Sequence, residues 1–426
     1  MTEAVNSLQN ARQMDGQDQL ANFRSEFYIP RHQEKDVIYL CGNSLGLQPK
    51  RVESVITEEI DNWKNNGVEG HFNGIRPWMH YHKFFSSYWK DLIGANETEV
   101  VVMNNLTVNL HLLMLSFYRP TQDRYKIIME GHAFPSDQYA VESQVRINGY
   151  KPDEAIIEVF PREGEHYLRT EDIEREIEHA GSSLALVLFS GVQYYSGQFF
   201  DIPAITNAGH KVGAYVGFDL AHAVGNLPMS LHDWNVDLAT WCSYKYLNSG
   251  PGGASGIYVH EKHATNKSFP RLAGWWGHNE KERFKMEKGF DPIPTAEGWQ
   301  LSNAPVFSMA PHLASLKLFE KAGIKNLREK SLRLTGFMEE LLRNTSGFNS
   351  VFSIITPSDP DARGCQLSLL FHERGKEVFD FLSEHGVIAD WREPDVIRVA
   401  PVPFYNSFED VFRFAELLDQ AINHSE

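Results

Sequence analysis

The fold turns on Ala214-Tyr-Val-Gly-Phe-Asp219-Leu-Ala-His222-Ala-Val-Gly225, read together with Trp241-Cys-Ser243-Tyr244-Lys245-Tyr246-Leu-Asn-Ser-Gly250-Pro-Gly252-Gly253. The first stretch is an apolar strand ending in an acid. A carboxylate there loses hydration and must be neutralised or paired with a cation. Taken alone, such an aspartate most often caps a turn or meets a structural base. The second stretch puts a lysine directly after a strand, among aromatic residues and before a glycine-rich turn, where its amine can be partly desolvated and act as a nucleophile. A lone lysine near a strand end is usually just solvated. The pair carries more weight: an acid on one strand end and an amine on a following one.

Working outward, short apolar runs recur at Val100–Met103, Tyr125–Met129, Ala155–Val159, Leu184–Phe189, Ala214–Leu220, Leu238–Trp241 and Gly256–His260. Helix-length amphipathic stretches lie between most of them, at Thr107–Tyr118, Ser136–Ile147, Thr170–Ala180 and Ile202–Lys211. Strand and helix alternating at this spacing predict an α/β fold, a doubly wound and mainly parallel sheet covered on both faces. Ligands of such sheets bind beyond the carboxyl ends of the strands. After Pro305 the texture changes. Long helices are predicted at Ser308–Ala322 and Asn326–Arg343. Short strands follow near Val351–Ile355, Gln366–Phe371 and Val396–Val399, with helices at Lys376–His385 and Phe408–Ile422. The expected organisation is therefore a helical arm contributing to the small domain over 1–95, a large α/β domain over 96–305 and a small α+β domain over 306–426. Within the arm, only Val37–Leu40 reads as extended, and a helix is predicted from Arg51 to Asn65.

Composition narrows the function. The 426 residues are 42% hydrophobic and 23% charged, as in ordinary globular proteins. A net charge of -16 is a poor match to phosphate backbones or anionic lipid, so neither nucleic acid nor membrane is an expected partner. The longest apolar run, Leu184–Phe189, is far short of the roughly 20 residues a bilayer-spanning helix needs. Cys41, Cys242 and Cys365 are widely separated and odd in number, which offers no disulfide framework and no paired-cysteine metal site. With no secretion pattern over Met1–Leu20, a soluble protein of the reducing cytoplasm is expected, without a metal.

One cofactor uses an amine and a carboxylate together. The aldehyde of pyridoxal 5'-phosphate forms an imine with a lysine, and a carboxylate holds its protonated ring nitrogen. Lys245 and Asp219 suit those two roles. His222 would sit near the same ring, or would be an ordinary hydrogen-bonded core histidine.

The chain also resembles the kynureninase family, within the fold-type-I, aminotransferase-like enzymes that use this cofactor. The resemblance runs through Gly42-Asn43-Ser44-Leu45-Gly46-Leu47-Gln48-Pro49, Gly67-Val68-Glu69-Gly70-His71, Phe134-Pro135-Ser136-Asp137-Gln138-Tyr139-Ala140, Asp219-Leu-Ala-His222-Ala, Tyr244-Lys245-Tyr246-Leu-Asn, Gly274-Trp275-Trp276-Gly277-His278, Ser302-Asn303 and Arg398-Val-Ala-Pro-Val-Pro. It implies hydrolytic cleavage of the Cβ–Cγ bond of L-kynurenine, of 3-hydroxy-L-kynurenine, or of both, giving anthranilate or its 3-hydroxy form plus L-alanine, as in tryptophan degradation or NAD biosynthesis. Lys245, Tyr244 and Asp219 would be catalytic. Leu106, Thr107, Phe134, Pro135, Ser136, Asp137, Asp219, His222, Tyr244 and Lys245 would hold the cofactor, with Phe134 flat on its ring. A phosphate at Leu106–Thr107 also makes physical sense, because a strand hands over to a helix there; the plain alternative for Thr107 is a helix N-cap. Ser44, His71, Asn303 and Arg398 would bind substrate, the arginine fork taking the α-carboxylate. Trp275 and Asn303 would reach across from the neighbouring subunit of a homodimer with shared active sites.

Two rivals stay open. A cysteine desulfurase-like lyase of the same fold needs a mobile, reactive cysteine, whereas Cys365 begins a strand and Cys242 precedes the lysine. A non-catalytic protein that binds the cofactor has less reason to keep Lys245, Asp219, Tyr244 and Arg398 together.

Overall fold

The computed structural model describes residues 7–423, so residues 1–6 of the expected arm and residues 424–426 lie outside the described residues. Its central sheet has seven strands: β1 (Val100–Val102), β2 (Lys126–Glu130), β3 (Ile156–Val159), β4 (Leu184–Ser190), β5 (Tyr215–Asp219), β6 (Leu238–Trp241) and β7 (Gly256–Val259). Their order across the sheet is β1-β7-β6-β5-β4-β2-β3. Strands β2 to β6 run parallel, and β7 is antiparallel to both of its neighbours. The mainly parallel sheet expected from the apolar runs is therefore present, each strand within a residue or so of its predicted bounds.

The runs are apolar because both faces are covered. Along β4, Leu186 and Leu188 enter a core with Leu113, Val141 and Val145 from the helices Leu106–Phe117 and Pro135–Ile147. Val187 and Phe189 point the other way, toward Ile173, Ile177 and Ile205 of the helices Thr170–Ala180 and Ile202–Lys211. From β2 the chain goes outward to β3, then crosses back to β4 on the other side of β2. That reversal makes the carboxyl ends of β2, β4 and β5 the place where such a sheet opens a crevice.

A second, antiparallel sheet is built from β8 (Phe352–Ile354), β9 (Leu367–Phe371), β10 (Asp390–Arg392) and β11 (Val396–Val399), in the order β8-β9-β11-β10. Leu334, Met338, Val378, Leu382, Phe408 and Leu418, from three helices, form its core. The helix Leu8–Gly16 joins this unit: Asp15 accepts from the backbone N–H of Phe408 at 2.7 Å and of Glu409 at 3.0 Å, capping the last helix.

The N-terminal region departs from expectation. A small hairpin pairs Arg31–His32 with Lys35–Asp36, and Ile38–Tyr39 pairs with Val387–Ile388 rather than standing alone. The hairpin strands are charged and exposed, so no apolar alternation marks them. The helix at Val52–Asn66 is present one residue later than predicted.

Candidate active site

Asp219 is the last residue of β5, and Lys245 lies in the turn after β6, the next strand across. Both side chains line one cavity with Leu106, Thr107, Phe134, Ser136, Asp137, His222 and Tyr244. Ten predicted positions thus converge on the crevice, counting Pro135, which opens the helix Pro135–Ile147 and sets its direction.

Two helix N-termini meet at this cavity. The helix Leu106–Phe117 is capped by Asn105, whose side chain accepts from Val108 N–H at 3.3 Å. Thr107 is therefore not the cap. It sits in the first turn and lines the cavity, close to leading backbone N–H groups of the kind that suit an anion. Phe134 and Ser136 begin the facing helix, and the Lys245 amine lies 5.8 Å from the Phe134 ring centroid. Tyr194 packs edge-on against Phe134, with centroids 5.2 Å apart.

The electrostatics are set by burial. Asp219 accepts from Ala221 N–H at 2.7 Å, and Asp137 lies beside it in the same cavity wall. Burial raises both carboxyls, and the neighbouring Asp219 charge raises Asp137 further. Asp137 is the more strongly raised of the two. Lys245 Nζ donates to His222 Nε2 at 2.9 Å. Burial, then the Lys245, Arg398 and Arg392 charges, hold His222 well below the usual imidazole range, so the ring is neutral. Its Nδ1 is consequently an N–H that is buried without a partner, as is Asp137 Oδ1. Unmet buried polar atoms of this kind cost about 1–3 kcal/mol each. A flat ligand with its own polar edge, held between Phe134 and the Asp219 pair, would meet them.

Sequence reasoning passed over Glu130, the last residue of β2. It is buried in the same wall and accepts from the Ser190 hydroxyl at 2.5 Å and from Ser190 N–H at 3.1 Å. An acid ending an apolar strand is the same signal that marked Asp219, but the predicted strand stopped one residue short. Burial pushes Glu130 from its ordinary 4.5 up to about 7. A raised carboxyl favours the folded state most below its ordinary value, and that advantage is lost as pH rises through the folded value. The cofactor-free protein should therefore lose unfolding free energy between pH 5 and 8, by on the order of 3 kcal/mol from this group. Glu130→Gln should flatten the decline in thermal midpoint, and an equally steep decline in the variant would remove Glu130 as its source.

Arg398, on β11, is reached from a different direction. Its Nη1 donates to Tyr194 O at 2.7 Å, and its Nη2 donates to Asp390 Oδ2 at 2.5 Å and Ser44 Oγ at 3.2 Å. Ser44 also donates to Asp390. It is brought here by a close approach: a Cβ on Gly46 would lie 2.4 Å from Lys245 O and 2.2 Å from Asn248 Oδ1, so only glycine lets this segment dock on the lysine turn. Ser44 thus stands beside Arg398.

His71 and Asn303 lie elsewhere. They share a separate cavity of about 330 Å³ with Trp63, Trp78 and Phe307, and the His71 ring packs edge-on to Trp78 at 5.4 Å. Trp275 is half-exposed, with its indole N–H donated to Arg283 O at 3.0 Å. Within one chain, these three are not in the Lys245 cavity.

Comparison with known proteins follows the same lines. The family model of the kynureninase C-terminal domain matches residues 327–418. A kynureninase of Flavobacterium psychrophilum is 54% identical over 418 residues, covering 98% of each chain. The mouse (Mus musculus) kynureninase is 49% identical over 98% of this chain and 93% of its own. Among solved structures, the cysteine desulfurase CsdA from Escherichia coli superposes with a TM-score of 0.77 at 17% identity, covering 95% of this chain and 98% of that one. A C-DES variant with glycine covalently linked to its pyridoxal phosphate cofactor superposes with a TM-score of 0.74 at 16% identity, covering 90% and 96%. The desulfurase likeness establishes the fold alone, whereas identity near one half along almost the whole length establishes descent: this chain belongs to the kynureninase family.

Proposed function

We propose that the protein is a pyridoxal phosphate-dependent hydrolase that cleaves the Cβ–Cγ bond of L-kynurenine, 3-hydroxy-L-kynurenine or both, releasing the anthranilate and L-alanine. The observation that carries this reading is the convergence of Lys245 and the Asp137–Asp219 pair on one cavity at the carboxyl ends of the strands. The unpartnered His222 Nδ1 and Asp137 Oδ1 in that cavity fit a polar-edged ring. Lys245 would hold the cofactor covalently, Asp219 its ring nitrogen, and Phe134 one ring face. The first turns at Leu106–Thr107 and Pro135–Ser136, with Tyr244, would hold its phosphate. When bound, the cofactor supplies an aldehyde that links to amines and a ring that takes up the electrons left at the substrate α-carbon.

The remaining work falls to the chain. Neutral His222 accepts an N–H from Lys245 and so orients the side chain that would take the α-proton. Burial raises the Tyr244 hydroxyl, so it stays protonated and can deliver a proton to the departing β-carbon. Arg398 receives the α-carboxylate through its planar fork. The desulfurase reading fares worse, because burial pushes the Cys41 thiol up to about 11 and the Cys365 thiol up to about 12, and raises Cys242 as well. Thiols of that kind are poor nucleophiles at neutral pH. Three unpaired cysteines also suit a cytoplasmic setting. Among the described residues, no helix is long and apolar enough to cross a membrane.

The deciding assay is fluorescence detection of anthranilate release from both substrates. A protein whose visible spectrum responds to kynurenine without releasing anthranilate would be a binding protein instead.

The working unit in this proposal is a homodimer, with Trp275 and Asn303 reaching the cofactor and substrate of the neighbouring subunit. What supports it is the separation of the His71–Asn303 cavity from Lys245 within one chain, the exposure of Trp63 and Phe307 in its lining, and the half-exposed Trp275 outside the Lys245 cavity. Lys245→Ala and Asn303→Ala are each expected to be inactive. Dissociated, mixed and reassociated, they should recover about one quarter of wild-type activity, since half the dimers then carry one intact site. No recovery on mixing would mean that each subunit is self-contained.

A further inference from the structure

Arg398 is fully buried, and the carboxylate it touches is Asp390, itself only 10% exposed. A guanidinium in contact with one carboxylate presents little net attraction to a second, and an approaching anion would also feel Asp390. Arg398 by itself does not explain how an amino acid is drawn to this point in a chain of net charge -16.

A second cation resolves this. Arg392 lies two residues beyond Asp390 on β10, so both side chains project from the same strand face. Its Nε is 3.0 Å from Asp390 Oδ1, and its Nη2 is 3.2 Å from Asp390 Oδ2. The antiparallel pairing of β10 with β11 sets Asp390 directly opposite Arg398. The guanidinium carbons of both arginines lie 6.0 Å from the Tyr194 ring centroid. Tyr194 also lines the Lys245 cavity, so the group borders the reaction site. Two cations and one anion leave a surplus of one positive charge. Arg398 Nε is in addition buried without a partner. The Arg392 side chain is 35% exposed against 1% for Arg398, so the open edge of the group belongs to Arg392.

We propose that Arg392 is a specificity-determining residue for the substrate α-carboxylate: Asp390 holds the two guanidiniums over Tyr194 and cancels one charge, and Arg392 supplies the surplus that draws the carboxylate onto Arg398. The inference rests on the reading that Arg398 receives that group. Asp390 is then a positioning residue, fixing both cations through its two oxygens.

The test uses the cofactor-loaded enzyme titrated with L-alanine, which carries the α-carboxylate but no aryl ketone, and followed by visible absorbance. Arg392→Gln should weaken alanine about tenfold and raise KM for kynurenine by a similar factor, with the loss falling on KM more than on kcat. Added salt should weaken alanine binding less in this variant than in the wild type. Arg392→Lys keeps the charge but gives up the two-point contact with Asp390, so it should lose measurably less than Arg392→Gln without matching wild type. Arg398→Gln should cost about a hundredfold or more. An unchanged absorbance spectrum before titration shows that each variant is folded and loaded. If Arg398→Gln binds alanine normally, the assignment of the carboxylate to Arg398 fails. If that variant loses binding while Arg392→Gln keeps it, or if Arg392→Lys loses as much as Arg392→Gln, the surplus-charge proposal is overturned.

Discussion

Lys245→Ala should reduce anthranilate release at least roughly 10⁴-fold, because in the proposed reaction one side chain would serve both as covalent anchor and as proton carrier. Among the described residues lining the cavity, Lys245 is the one primary amine, so no neighbour can take over. The fold should survive the change. The Nζ hydrogen bond runs to His222, and that partner is a neutral ring already short of one contact. Charge in the pocket should shift: the lysine cation lowers both Asp137 and Asp219, and its loss lets both carboxyls rise. The variant should also release its cofactor on prolonged dialysis, since only the Asp219 contact, the Phe134 face and the phosphate cradle would remain. Activity within tenfold of wild type, with full cofactor loading, would remove Lys245 from the mechanism.

Asp219→Ala should cost roughly 10²- to 10³-fold in turnover and weaken cofactor binding in reconstitution of the cofactor-free protein. In the proposed reading the buried carboxylate would be the negative partner that keeps a ring nitrogen protonated, and a protonated ring draws electrons from the α-carbon far better than a neutral one. Asp137 cannot substitute for it. Burial and the Asp219 charge raise the Asp137 carboxyl, which favours its protonated, hydrogen-bond-donating form. Asp137→Asn keeps a donor there and should lose much less activity than Asp219→Ala. Equal losses in the two variants would mean that the charge is shared rather than carried by Asp219.

Much of this was legible along the chain, for a physical reason visible in particular residues. Strand β4 reads Leu-Ala-Leu-Val-Leu-Phe because helices cover both faces of the sheet, so the apolar run itself is the record of burial. Asp219 stood out because a carboxyl ending such a run must have a partner, and Lys245 because it follows the next strand. Glu130 carried the same mark and was missed by a single residue of strand boundary.

Other features leave no local trace. The charged hairpin at Arg31–Asp36 has neither apolar alternation nor a glycine, and its turn is made by Gln33 and Glu34 at φ 46° and 65°. The gathering of His71 with Asn303, more than two hundred residues apart, follows from how the Val52–Asn66 helix lies against the one at Val306–Ala322.

Chain order was enough for the sheet and for pointing to Lys245 and Asp219, because the cost of burying those residue types is set by their neighbours, and the family was legible in its run of motifs from Gly42 to Arg398. What chain order could not supply came from the packed fold: Arg398 is tied to Asp390, Arg392 joins them over Tyr194, and Asp137 is buried beside Asp219 in one cavity. Charge in a buried site is shared among groups brought together by strand register and helix packing, and neither is written in the spacing of the residues concerned.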